Sequence, residues 1–233
     1  MKSRRRNSSV DEGASAPEVH LEPRGESQAA LVEAISQRVP YCICTGPAGT
    51  GKTFVSATVG LRMVLSGDFH KMVVARPIVD VKGASIGYLQ GSLDKKLQPY
   101  LQPVIEIIQD AVGKAAYQKM LAAGAIEYVH VGHMRGRTFS NAFVLIDEAQ
   151  NATSDSLRMI MSRLGEGSVM AICGDPKQPD LPLNGLDDLV ERVSSADFPS
   201  FRAIRMTGAD VQRSQAIRDL AALYGAGAGR SAP

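Results

Sequence analysis

The chain has 233 residues, 44% of them apolar and 5% aromatic, with no tryptophan and three cysteines. This composition fits one or two globular domains rather than a wholly disordered chain. Lysine and arginine number 26 against 24 acids, a net charge of +2 that by itself points to neither a polyanion nor a membrane surface. Lys2, Arg4, Arg5 and Arg6 outweigh that excess, so the rest of the chain is slightly acidic and any basic surface on it is local. The odd, low cysteine count argues against a disulfide framework and for a reducing compartment. No apolar run approaches the roughly 18 residues that a membrane helix needs. The basic start is followed by no apolar stretch and does not read as a secretory signal, so no membrane association is expected and the cytoplasm is the expected location.

Residues 1–24 mix Ser, Pro, Gly and charge without apolar periodicity and read as a disordered basic tail. A helical pattern over 26–37 leads into an apolar strand, Tyr41–Thr45, then a Gly-rich turn and a second helical pattern over 52–65. A strand over 71–75 follows, then a Gly-rich loop with Lys82 and a long helical stretch over 93–123, interrupted by Pro99, Pro103 and Gly113. Strands are next expected over 126–131 and Ala142–Ile146, a helix over 154–164, a strand over 168–173, a helix over 186–193, a strand over 203–206 and a last helix over 211–224. Residues 225–233 are a Gly- and Ala-rich tail too small in side chain to pack. Continuous apolar strands separated by helices predict an α/β core over 25–224, a mostly parallel sheet with helices on both faces. The three cysteines lie in predicted strands and read as buried apolar side chains.

The most specific local pattern is Gly46-Pro47-Ala48-Gly49-Thr50-Gly51-Lys52-Thr53, a complete G-x-x-x-x-G-K-[ST] phosphate loop between a strand and a helix. Glycines let the backbone turn its N–H groups inward around phosphate oxygens. Lys52 carries a point charge to the β- and γ-phosphates, and the Thr53 hydroxyl suits Mg²⁺. The helix that starts here adds its positive end. A second element, Ala142-Phe143-Val144-Leu145-Ile146-Asp147-Glu148-Ala149-Gln150, is an apolar strand ending in two acids. Beside a phosphate loop, Asp147 suits the metal and Glu148 suits the base that deprotonates an attacking water; taken alone, the pair could merely cap the next helix. A third, Cys173-Gly174-Asp175-Pro176-Lys177-Gln178, follows another strand. Gln178 can accept from that water and donate to the γ-phosphate, though the stretch can also be a proline-rich turn.

With these elements in order, the sequence resembles the PhoH-like proteins, P-loop ATPases related to superfamily 1 helicases. The resemblance extends over nearly all of residues 25–224. It includes Arg76-Pro77, Gly87-Tyr88-Leu89-Gln90-Gly91, Met134-Arg135-Gly136-Arg137-Thr138 and Gly174-Asp175-x-x-Gln178-x-Asp180-Leu181-Pro182. It implies a single RecA-like core that binds ATP and Mg²⁺. Gln28 matches a glutamine that contacts adenine in related helicases, and Gln178 matches a γ-phosphate sensor. Arg76, Arg135 and Arg137 fall where relatives contact nucleic acid or register the nucleotide state. Arg213 matches a late arginine that can act as an arginine finger, although Ser214-Gln215 stand where the family tends to have His-Pro.

A helicase engine uses two such cores with ATP between them, and this chain has room for one. A head-to-tail homo-oligomer, a hexameric ring with Arg213, Arg135 or Arg137 supplied in trans, is therefore expected. RNA or single-stranded nucleic acid is the expected partner, with Arg76, Lys82, Arg135 and Arg137 as candidate contacts; without the resemblance, such basic clusters read as solvated faces. Two alternatives share these motifs. One is a nucleotide-gated scaffold with slow turnover. The other is a small-molecule kinase, which Glu148 and Gln178 disfavour because both serve a water.

Overall fold

The computed structural model describes residues 19–78, 93–178 and 184–211, with only the backbone of 93–97. Lys82, Tyr88, Arg213 and the helical pattern over 211–224 (beyond Val211) lie outside the described residues, as do residues 1–18 of the expected N-terminal tail and all of the C-terminal one.

Six strands, β1 (Tyr41–Thr45), β2 (Lys71–Arg76), β3 (Ile126–His130), β4 (Ala142–Ile146), β5 (Val169–Gly174) and β6 (Phe201–Arg205), form one sheet in the order β3-β2-β4-β5-β1-β6. Every pairing is parallel. The physical reason is in the strand sequences. All residues of β4 and β5 are buried, and a strand apolar on both sides needs a helical layer on each. Among the described residues six helices supply those layers: α1 (Glu26–Ser36), α2 (Lys52–Leu65), α3 (Leu93–Val112), α4 (Lys114–Ala122), α5 (Ser154–Met161) and α6 (Gly185–Ser194). Leu31 and Ile35 of α1, Val55 and Val59 of α2, Val104 and Ile108 of α3 and Tyr117 of α4 pack with Cys44, Met72, Phe143 and Ala171 on one face. Val19, inside the stretch that composition groups with the tail, is buried in the same layer. Leu157 and Ile160 of α5 and Leu186 of α6 cover Ile43, Val73, Val144 and Ile172 on the other. This is the expected α/β core, a parallel sheet with helices on both faces.

Neighbouring strands β1 and β5 send their following helices, α2 and α6, to opposite faces. Such a switch point opens a crevice at the carboxyl ends of the strands, and the three chemical motifs all end there. No helix among the described residues is long and apolar enough to cross a membrane.

The elements depart from the sequence expectation in two instructive places. Pro99 and Pro103 do not break α3, which runs through both and ends only before Gly113, whose φ is 80°. The two prolines are four residues apart and both exposed, so they share the outer side of the helix, where a missing backbone hydrogen bond costs least. β6 begins at Phe201, earlier than its apolar residues predict, because its backbone pairs with Tyr41 and Cys42 of β1. It is an edge strand with Arg202, Ala203 and Arg205 exposed, so burial patterning gives no signal at its start.

Candidate nucleotide site

The loop 46–51 leaves β1 and returns into α2 with two glycines in demanding positions. Gly51 is left-handed (φ 88°), and a Cβ there would stand 2.8 Å from Gln28 Nε2. At Gly46 (φ 148°) a Cβ would stand 2.5 Å from the Met206 carbonyl oxygen. Side chains are excluded from both, which keeps the loop's amides open to phosphate.

Lys52 folds back into this loop. Its Nζ donates to the carbonyls of Gly46 at 2.6 Å and Pro47 at 2.9 Å, so the ammonium is held where it can exchange loop oxygens for phosphate oxygens. The next residue, Thr53, donates its hydroxyl to Asp147 Oδ1 at 2.6 Å, which joins the start of α2 to the end of β4. Asp147 is buried. Burial pushes its carboxyl above the usual range and Glu148 adds to the rise, against the Thr53 hydrogen bond and the charge of Arg76. A buried carboxylate beside a hydroxyl is an oxygen pair that fits a hard divalent cation whose other ligands are phosphate and water. Among the described residues no cluster of three His, Cys, Asp or Glu offers a further metal site.

Glu148 has φ 51° and ψ 45°. A non-glycine residue in this region is strained, a feature concentrated at functional sites. Its side chain, together with Ala48, Gly49, Gly51, Lys52, Thr53, Asp147 and Gln178, lines a cavity of 290 Å³. Gln178 is exposed there, and its N–H is held at 3.0 Å by the Asp175 carbonyl. The four groups assigned to phosphate, metal, base and sensor thus share one cavity.

Gln28 also reaches the loop. It is buried on α1, accepts from the Arg24 N–H at 3.0 Å and donates to the Thr50 carbonyl at 2.9 Å. Arg76, grouped with nucleic-acid candidates from the sequence, lies beside the acids. Its guanidinium lies 3.7 Å from Asp147 Oδ2 and 3.5 Å from Glu148 Oε1, and donates to the Tyr100 carbonyl of α3 at 3.0 Å. Arg137 is elsewhere. It pairs with Glu127 at 2.6 Å, near the start of β3, and lies over the Phe139 ring, away from the strand ends that carry the phosphate loop. Arg135 is exposed on the segment that follows β3.

Two cavity residues escape the sequence reading: Phe54, 49% exposed at the start of α2, and Ile107 of α3. An exposed phenylalanine directly after the Lys-Thr pair was a readable signal. Ile107, carried in from α3, had none. Phosphate loop, paired acids and Gln178 thus converge on one site suited to a nucleotide's phosphates.

Comparison with known proteins agrees. The family model described as "PhoH-like protein" matches residues 20–225. A PhoH-like protein of Synechocystis is 35% identical over 81% of this chain and 57% of its own length. One from Bacillus subtilis is 36% identical over 77% and 56%, and Protein PhoH of Escherichia coli is 36% identical over 75% and 50%. The chain thus spans little more than half the length of the curated relatives it matches. Among solved structures, the Pif1 helicase of Candida albicans aligns with 86% of this chain and 43% of its own at 15% identity and a TM-score of 0.40, too remote to carry weight. On the family match and the relatives above 30% identity, the chain belongs to the PhoH-like protein family.

Proposed function

We propose that the protein is a Mg²⁺-dependent ATP hydrolase, acting in the cytoplasm as a ring-forming homo-oligomer that couples turnover to RNA or single-stranded nucleic acid. The observation that carries the hydrolase reading is Glu148, which lines one cavity with Lys52, Thr53, Asp147 and Gln178. Thr53 and Asp147 would hold Mg²⁺, which when bound neutralises charge on the β- and γ-phosphate oxygens. Lys52 exchanges its two loop carbonyls for phosphate oxygens. Glu148 takes a proton from a water aligned with the γ-phosphorus, and Gln178 orients that water and donates to the γ-phosphate. The water oxygen bonds to phosphorus as the bond to the β-phosphate oxygen breaks, giving ADP and phosphate. Gln28, at the phosphate loop, is proposed to favour adenine.

In the proposed ring a neighbour supplies an arginine in trans, Arg213 or exposed Arg135; Arg137 is already engaged by Glu127. A hexamer is the proposed closure. Arg76, Lys82 and Arg135 remain the proposed nucleic-acid contacts, with Arg76 serving that role only when it leaves the two acids.

The test is ATP turnover with and without RNA or single-stranded DNA at low salt, with molar mass measured on the same sample. Stimulated turnover by a hexamer supports the whole reading. Full activity in a monomer overturns the ring, indifference to added nucleic acid overturns the coupling, and phosphate transfer only to a small acceptor makes the protein a kinase. Lys52→Ala should abolish nucleotide binding, whereas Glu148→Gln should bind ATP and keep only a small residual turnover.

A further inference from the structure

Gln150 lies two residues beyond Glu148, on the 3-10 turn Ala149–Asn151, and phosphate-loop chemistry gives it no task. It is nevertheless buried, with 4% of its surface exposed, and both ends of its amide are engaged. Nε2 donates a short hydrogen bond to Glu148 Oε2. Oε1 accepts from the Asp175 N–H at 3.1 Å. Asp175 is the first residue beyond β5, and it organises the turn that follows. Its carbonyl accepts from the Gln178 N–H at 3.0 Å and its carboxylate from the Lys177 N–H at 3.1 Å. A continuous hydrogen-bonded path therefore runs from Glu148 through Gln150 and Asp175 to the backbone of Gln178.

Packing fixes this path in place. A Cβ on Gly174 would stand 2.5 Å from Gln150 Oε1 and 3.1 Å from the Gln150 backbone nitrogen, so the end of β5 approaches this amide as closely as a glycine permits. The other carboxylate oxygen of Glu148 faces Arg76 Nη2 at 3.5 Å. Each oxygen of Glu148 thus has its own neighbour, and its backbone is left-handed. A long, half-exposed glutamate held in this way has lost the rotamer freedom that would carry it off line with a water. Misplacement of a reacting group by about 1 Å can cost on the order of 100-fold in rate.

We infer that Gln150 is a positioning residue for hydrolysis: it fixes the carboxylate of Glu148 and ties it to the 175–178 turn that carries Gln178, so that base and sensor move as one unit. The inference rests on the proposed roles of Glu148 and Gln178. Two substitutions separate its parts. Gln150→Glu keeps the acceptor for the Asp175 N–H but replaces the donor to Glu148 with a second carboxylate. Gln150→Leu removes both hydrogen bonds at similar volume.

The experiment measures kcat and KM for ATP and the affinity for a fluorescent ATP analogue, in wild type, Gln150→Glu, Gln150→Leu, Glu148→Gln and the double variants with Glu148→Gln. Thermal melts accompany each protein. Both single substitutions at Gln150 should lower kcat about 10- to 100-fold while analogue affinity and KM change less than about 3-fold. In the Glu148→Gln background the same substitutions should cost little further, because groups that act as a unit are not additive. Three results overturn the inference while leaving the hydrolase reading intact: wild-type kcat in both Gln150 variants, loss of analogue binding in parallel with kcat, or a full second loss on top of Glu148→Gln. Should Gln150→Leu melt far below wild type, Gln150→Glu and its double variant decide the outcome. A wild-type chain without ATP turnover, or Glu148→Gln with full turnover, overturns the underlying reading itself.

Discussion

Replacing Gly60 with alanine sets two physical effects of opposite sign against each other. Gly60 sits inside α2, buried, where helix propensity alone predicts that alanine would stabilise by about 1 kcal/mol. The tertiary structure predicts the reverse. A Cβ at this position would stand 2.8 Å from Cγ of Phe143 and closer still to its Cδ1 and Cε1, against a normal carbon–carbon contact of about 3.5–4.0 Å. Ring or helix must therefore move by about 1.5 Å. The ring has nowhere to go, because Phe143 is fully buried on β4 with Phe69 at 6.1 Å between centroids. Overpacking of this kind costs about 1–3 kcal/mol and occasionally more, and with this degree of overlap we place the net loss near 2 kcal/mol. For a domain of this size that lowers Tm by about 4–8 °C. Because α2 starts with Lys52 and Thr53, movement of the helix should also weaken nucleotide binding. Thermal and urea unfolding of the wild type, Gly60→Ala, Phe143→Leu and the double variant form the assay. Shrinking the ring should remove the penalty, so Gly60→Ala becomes neutral or stabilising in the Phe143→Leu background. A Gly60→Ala protein that melts above wild type would refute the reasoning.

Other outcomes are open to direct measurement. Burial pushes the Glu127 carboxyl up, but its hydrogen bonds and charge pairing with Lys71 and Arg137 hold it below the usual range overall. An acid whose folded pKa is lowered adds stability above its unfolded value, about 4.3, and loses it as pH falls through the folded value. Glu127→Gln should therefore cost about 0.5–1 kcal/mol at pH 7 and nothing measurable at pH 2–3 in urea melts; a difference independent of pH counts against the pairing. Burial pushes the thiols of Cys42 and Cys173 up to about 12, and that of Cys44 well above its ordinary value. A thiol-exchange reagent at pH 8 should find all three inert in the native protein and reactive after denaturation; rapid labelling of even one native thiol would contradict the packing of β1 and β5. Gln28→Ala should weaken ATP binding about 10-fold, since it removes an amide held against the phosphate loop, and should narrow the preference over GTP. An unchanged ATP-to-GTP ratio would remove Gln28 from base recognition.

Those parts of the molecule whose cause is local were legible before any coordinates. The phosphate loop is eight consecutive residues, and Asp147 and Glu148 follow directly from β4, so residue type and spacing carried their chemistry. The apolar strands Tyr41–Thr45 and Ala142–Ile146 were equally plain: burial on both faces leaves no polar position in the second and only the two end residues in the first. Where a face is open the signal faded: β6 lies at the sheet edge, and the prolines of α3 look like breaks until their solvent-facing side is known.

What tertiary structure alone decided is which distant residues meet. Arg76 ends β2 and Asp147 follows β4, and because those strands pair in register, the arginine faces the acids rather than the outer surface. Arg137 is drawn instead to Glu127 by a short ion pair. The composition's near-neutral charge thus hides two separate arrangements, Arg76 beside the acids at the strand ends and Arg137 in a pair with Glu127. Gln150 is the sharpest case. In sequence it is one more polar residue after two acids; folding brings the end of β5, 25 residues away, within hydrogen-bonding reach of its amide. Sequence names the groups capable of chemistry because that capacity belongs to single side chains. Their alignment belongs to the sheet, because it depends on strands that become neighbours only when the chain buries both faces at once.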